Sequence, residues 1–179
     1  MPRQARHAPG GIIYHVLNRA AGRKELFAKP GDYMAITHVR RWVERRRRVG
    51  HGSVYQGRYK SFPTEDDAHF TTVARYVERN PVRAKLVSRA ESWPWSSAGQ
   101  KASAESPAIA ICSWPVARRT DWVEWVNQPQ APAEEAALRH CLSHGRPYGS
   151  EMWTVKMEAK LALRPPGRIG RPKKTKKNR

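Results

Sequence analysis

Hydrophobic and polar positions along the chain fall into short stretches of two periods. Residues 12–18 (IIYHVLN) are rich in β-branched and aromatic side chains and follow Gly10-Gly11, which predicts a strand. A turn is expected at residues 22–24, and Pro30-Gly31-Asp32 then punctuates the chain, with Asp32 placed to cap a helix. Residues 33–48 follow with Ile36, Val39 and Val43 on one side, predicting that helix, which ends in four arginines before Gly50. Residues 53–62 set Val54, Tyr55, Tyr59 and Phe62 among polar neighbours and predict a short extended segment or loop. From residue 65 to 79 the period is helical: Phe70, Val73, Ala74 and Val77 recur at i, i+3, i+4 and i+7. Thr64 and Asp67 have the spacing of a capping box. Pro81 interrupts the pattern, with Asn80 expected as N-cap and Pro81 as first residue of a short helix over 82–87.

Beyond residue 87 the signals are weaker. Trp93-Pro94-Trp95-Ser96-Ser97 reads as an aromatic turn, and residues 99–119 as a connector with little sheet structure. Residues 122–126 predict a short helix. Residues 133–143 predict a longer one, with Ala137, Leu138 and Cys141 on one side. Residues 145–149 form a turn, and Ser150 caps a helix to about residue 163. From Arg164 onward the tail has no acidic residue and many Pro, Gly and Lys, and is expected to be disordered when free.

Composition adds a partner to this picture. The 179 residues carry a formal net charge of +19. Charge of that size favours a polyanion, because each Lys or Arg that neutralises a phosphate releases counterions. A hydrophobic fraction of 39% and a mean hydropathy of −0.78 imply a small core. Cys112 and Cys141 make no disulfide framework, which suits a reducing cytoplasm. No apolar run approaches the ~18 residues of a membrane span, and the basic N-terminus is not followed by an apolar segment of the signal type.

Candidate chemistry centres on Tyr76 and Asn80. They stand four apart on the expected helix, so a phenol and an amide oxygen share one face. A tyrosine there can attack phosphate, and the amide can help hold a divalent cation. The plainer alternatives are a packed tyrosine and a helix cap. A free phenol titrates near about 10, so such a nucleophile needs a cation to activate it and polarise the phosphate. The chain has no His-x-His pair; His69 lies seven residues before Tyr76, and one imidazole does not make a paired site. Phosphate contacts need no metal. The candidates are Arg40, Arg41, Arg45, Arg46, Arg47, Arg48, Gln56, Arg58, Lys60, Arg83 and Arg171, with Trp42, Tyr55 and Tyr59 as stacking faces. His140-Cys141-x-x-His144 falls short of the four ligands of a structural zinc site, and Cys141 reads more simply as a small apolar residue.

In order along the chain, GGIIYHVLNRAAGRKELF, YQGRYKSF, RYVERNPVRAKLV, WPWSS, GRPYGSEMW and the terminal GRPKK resemble segments of the REP-associated tyrosine transposases. These are a bacterial branch of the single-tyrosine, His-hydrophobe-His transposases. The resemblance implies a ferredoxin-like antiparallel sheet with helices on one face, and Mg²⁺ or Mn²⁺ held by two histidines on a central strand. It also implies cleavage and rejoining of single-stranded DNA through a 5′-phosphotyrosine. Tyr76 takes the place of the family's tyrosine and Asn80 that of the polar residue completing the metal site. The implied partner is DNA folded into repeat hairpins, with self-association or association with an intact homologue a further possibility. The implied location is the nucleoid in the cytoplasm, with no membrane partner.

The chain departs from the family between its first helix and YQGRYKSF, where the histidine strand belongs. The expectation is therefore an α+β fold: a truncated ferredoxin-like domain over residues 1–98 with its central strands deleted. A helical C-terminal extension over 99–163 and a disordered basic tail over 164–179 follow. The paired histidines being missing, Asn80 is left as a partial metal site. The alternative to a degenerate transposase is a non-catalytic protein that binds repeat hairpins.

Overall fold

The computed structural model describes residues 8–18, 59–102 and 112–163. The expected helix over 33–48 and the basic tail lie outside these residues. Among the described residues the fold is mixed α+β, with a two-stranded antiparallel sheet and six α-helices. Strand β1 is Ile13–Leu17 and β2 is Lys60–Thr64, in a register that sets Ile13 against Thr64 and His15 against Phe62. The helices are α1 (Ala68–Glu78), α2 (Asn80–Arg83), α3 (Ser97–Ala102), α4 (Trp122–Asn127), α5 (Pro132–His144) and α6 (Glu151–Lys160).

Strand β2 runs two residues further than residues 53–62 suggested, through Pro63 to Thr64. Proline lacks an N–H and is tolerated where no ladder bond is needed. Here the Pro63 carbonyl accepts from Tyr148 N (2.9 Å), so this residue's polar edge points away from β1. Tyr148 O in turn accepts from Glu65 N (3.0 Å), making a parallel bridge beside Thr64. Thr64 is thus strand, not cap. Asp67 caps α1 instead, accepting from His69 N (2.7 Å).

Two cores form. Phe62 of β2 and Val73 of α1 pack with Leu138 and Cys141 of α5, and Tyr76, Leu142 and Tyr148 lean on them. Full burial of a side chain such as Phe62 contributes about 1.5–3 kcal/mol. The second core joins Ala90 and Ala98 to Trp122 and Val126 of α4, with Trp114 and Trp125 alongside. Residues 112–163 therefore contribute to both cores rather than packing by themselves.

One helix is added to the expected elements, and two further expectations are corrected. From the end of the aromatic turn into the stretch read as a connector with little sheet structure, α3 forms because Ser96 Oγ accepts from Gly99 N (3.1 Å), a side-chain cap on a short turn of helix. Gly99 has no substitute there: a Cβ would sit 1.9 Å from Trp93 O. The short helix after Pro81 covers Asn80–Arg83 rather than 82–87, because Lys85 adopts φ 58° and ends it. Ser150 precedes α6 as expected, but its Oγ donates to Glu65 Oε1 (3.2 Å) instead of capping the helix.

Candidate functional site

The segment Arg75–Pro81 has two faces that do different things. Arg75, Glu78 and Arg79, at i, i+3 and i+4, turn toward α4. Arg75 Nη2 donates to the carbonyls of Gln128 (3.0 Å) and Pro129 (3.1 Å), and its guanidinium lies 4.3 Å from the centre of the Trp125 ring. Arg79 Nη1 donates to the carbonyls of Val126 (3.2 Å) and Asn127 (2.5 Å). The last carbonyls of a helix lack intrahelical partners and carry partial negative charge, so two arginines satisfy them well. Glu78 is buried; its oxygens accept from Trp122 Nε1 (2.7 Å) and Ser97 Oγ, with Arg118 Nη2 3.8 Å away.

Tyr76, Asn80 and Arg83 lie on the other face. Tyr76 is half-buried, its ring edge-on to His15 with centroids 6.2 Å apart. His15 stands on the helix-covered face of β1, 5.0 Å from the Phe62 ring. Burial lowers the pKa of His15, favouring the neutral ring, and its buried Nε2 meets no partner among the described residues. The Arg83 guanidinium lies 4.2 Å over the Tyr76 ring, and its Nη2 donates to Asn80 Oδ1 (2.9 Å). Val77 beside them is 46% exposed, and Leu86 is exposed as well. Phenol, guanidinium and amide thus form one surface group, a cation–π pair anchored at its polar end.

This arrangement brings together three of the sequence candidates, Tyr76, Asn80 and Arg83. Lys60 is exposed at the start of β2. Arg40, Arg41, Arg45, Arg46, Arg47, Arg48, Gln56, Arg58 and Arg171 lie outside the described residues. His15 was missed. The signal available was the strand alternation that places it on the face shared with Ile13 and Leu17.

The donors around Tyr76 do not suit a divalent cation. Asn80 Oδ1 already accepts from a guanidinium, and a second positive charge beside Arg83 would be repelled. One cluster with cation-ligand chemistry among the described residues, Glu65, Asp67 and His69, sits before and at the start of α1, and the seven residues from His69 to Tyr76 correspond to about 10 Å of helix rise. Its groups have local tasks. Asp67 Oδ1 lies 2.8 Å from His69 Nδ1, and Glu65 Oε2 accepts from Ser150 N (2.6 Å). Burial pushes the Asp67 carboxyl up, but hydrogen bonds from the His69 backbone and ring outweigh it and hold the pKa below its usual value. At the other candidate metal stretch, Cys141 is buried, its Sγ donating to Pro147 O (3.5 Å) and its pKa raised by burial, while His140 and His144 stack on one another at 4.3 Å.

The charge is unevenly placed. Of the chain's 34 Lys and Arg and 15 Asp and Glu, the described residues hold 13 and 11, a net of +2 against +19 for the whole. No helix among the described residues is long and apolar enough to cross a membrane. Comparison of the chain with known protein families, with curated proteins and with solved structures gave no match.

Proposed function

We propose that this chain is a transposase-like DNA-binding protein of the REP-associated tyrosine transposase type, acting on single-stranded DNA folded into repeat hairpins. In this reading the two-stranded sheet and α1 are what is left of a ferredoxin-like domain. Tyr76 inherits the position of a nucleophile that cleaves and rejoins DNA through a 5′-phosphotyrosine. The observation that carries the reading is the Tyr76–Arg83–Asn80 group. A guanidinium held over a phenol offers a phosphate a fixed cation and offers a base the outer plane of the stacked Arg83–Tyr76 pair, the two contacts that single-strand binding combines. The net charge of +19 supplies the long-range attraction.

Binding, not cleavage, is the activity we assign. Attack on phosphate by a phenol needs charge stabilisation on the phosphoryl oxygens. The family obtains it from Mg²⁺ or Mn²⁺ held by paired histidines, and this sequence lacks that pair. The donors beside Tyr76 favour Arg83 over a divalent cation. The protein would act in the cytoplasm, at the nucleoid, alone, self-associated or beside an intact homologue.

The test is covalent trapping. The chain is mixed with a labelled single-stranded hairpin and Mn²⁺ and resolved on a denaturing gel, with Tyr76→Phe alongside and a native gel in parallel. The proposal predicts a native-gel shift and no covalent band. A covalent band that disappears in Tyr76→Phe would assign cleavage instead.

A further inference from the structure

Helix α6 has two apolar faces, and its own fold uses one of them. Met157 and, just past the helix end, Leu161 are buried. The opposite side carries Met152 and Val155, 86% and 65% exposed, the two most exposed large apolar side chains among the described residues. Ala159, also exposed, stands four residues beyond Val155. Spacings of three and four place Met152, Val155 and Ala159 on one stripe, at the a, d and a positions of a heptad. Apolar side chains scattered singly over a surface are ordinary; three in register on one helix mark a contact surface.

The charges beside the stripe decide what fits it. In the same heptad Glu151 stands at g and Lys156 at e, both exposed. Glu158, at the next g, is taken by Arg146 at 3.1 Å. Glu151 and Lys156 meet no oppositely charged side chain among the described residues. Two copies of α6 laid side by side in parallel bring g of one helix against e of the next heptad of the other. Glu151 of each copy then faces Lys156 of the other, twice by symmetry. In an antiparallel pair e meets e and g meets g, which sets Lys156 against Lys156 and Glu151 against Glu151. Like charges at such positions repel, so the pattern selects the parallel pair.

We propose that α6 is a homodimerisation surface, pairing in parallel with α6 of a second copy about a two-fold axis that runs along the helices. Met152, Val155 and Ala159 form the seam, and two Glu151–Lys156 pairs flank it. The inference is independent of what the chain binds. Met157 and Leu161 already hold α6 in the fold, so pairing bears no cost of helix nucleation. Ten residues span about 15 Å, a contact smaller than the roughly 1,200 Å² of a stable interface, and a dissociation constant of about 10–100 μM is expected. The net charge of +19 makes two copies repel at long range, a repulsion screened beyond about 8 Å at ~0.15 M salt.

The experiment is sedimentation equilibrium of the full chain at ~0.15 M salt, over about 5–300 μM so as to bracket the expected constant. The parent should pass from monomer to dimer across that range. Val155→Glu sets two carboxylates in the seam and should weaken the dimer at least about tenfold; Met152→Glu carries the same test if Val155→Glu does not fold. Both positions are exposed, so the variants should melt like the parent by circular dichroism. Lys156→Glu should weaken the dimer about fivefold, the scale of two exposed pairs made repulsive. Adding Glu151→Lys to it reverses both charges and should return the constant to within about twofold of the parent. A parent that stays monomeric at every concentration, whether the face is bare or belongs to a different protein, would overturn the proposal, as would a dimer indifferent to both seam variants. A dimer that Lys156→Glu leaves unchanged, or that the double reversal does not restore, would overturn the parallel pairing. Hairpin binding, read separately, can fail without touching any of these results.

Discussion

Removing the Glu78 carboxyl should loosen the junction between α1 and α4 more than any change on the Tyr76 face. In Glu78→Ala the buried indole N–H of Trp122 loses its acceptor, at a cost of about 1–3 kcal/mol for an unsatisfied buried donor. The cavity adds to this, at about 24 cal/mol per Å³ of residual volume. Arg118 loses its ionic partner but is 21% exposed, so water compensates much of that loss. The total of about 3–5 kcal/mol is the range for breaking a buried charged pair, and corresponds to a fall in Tm of roughly 8–15 °C for a chain of this size. Glu78→Gln keeps the shape. One amide oxygen still accepts from Trp122, and the Ser97 hydroxyl can rotate to accept from the amide, so the loss should be about 1–2 kcal/mol. Urea and thermal unfolding followed by circular dichroism measure both, with Trp122→Phe completing a double-mutant cycle. A coupling above about 1 kcal/mol between positions 78 and 122 is expected for groups in contact. Glu78→Ala unfolding within experimental error of the parent would refute the assignment of Glu78 as the link.

Other perturbations follow from the same geometry. His15 has its pKa lowered by burial, so the unfolded chain binds more protons than the folded one just below the ordinary histidine pKa of about 6.5. Stability should be full above that pH and fall as the pH drops toward the lower folded value. His15→Phe should flatten thermal stability between about pH 7 and 5, above the range where paired carboxylates such as Asp67 protonate; an unchanged pH profile would contradict it. Gly99→Ala forces a Cβ against Trp93 O and should cost about 3 kcal/mol, read by urea denaturation, whereas a variant as stable as the parent would mean that α3 shifts freely. Arg83→Ala removes the guanidinium over Tyr76 and should reduce the salt dependence of hairpin binding by about one phosphate contact without lowering Tm by more than about 1 kcal/mol equivalent. An unaltered salt slope would remove Arg83 from the interface.

How much of this was legible in the sequence depended on whether one periodicity ruled a segment. β1 and α5 carry local patterns and appear, as does the short α4, within a residue or two of their expected bounds. β2 was harder to delimit because Pro63 discourages a strand reading, and only the pairing of its carbonyl with Tyr148 explains why it is tolerated. In α1 the apolar stripe was only half the answer. Val77 was assigned to it yet is 46% exposed, while Arg75 and Glu78, polar by composition, are buried. A helix packed against both a sheet and a second helix buries a wide arc, and charged residues enter it when carbonyls and an indole N–H meet them. No local rule shows those partners, which lie some 44 to 54 residues away. At the site, the i, i+4 spacing correctly put Tyr76 and Asn80 on one face. Arg83's return to both, across the break before Pro81, was not visible: Asn80 opens the short α2 rather than capping it, and its side chain anchors a guanidinium.

The most direct measurement is the equilibrium affinity of the purified chain for a labelled single-stranded repeat hairpin as a function of salt, by fluorescence anisotropy. Tyr76→Phe and Tyr76→Ala would be titrated beside it. The account predicts tight binding at low salt and a linear fall of log affinity with log salt. Six to eight phosphate contacts would give a slope of roughly −4 to −6 for a single strand. Tyr76→Phe, which keeps the ring under Arg83, should bind like the parent, and Tyr76→Ala, which removes the platform that holds Arg83, should lose about 1–3 kcal/mol, the worth of one base stacked on the pair. No binding at low salt, or an affinity indifferent to both salt and the Tyr76 ring, would contradict the account.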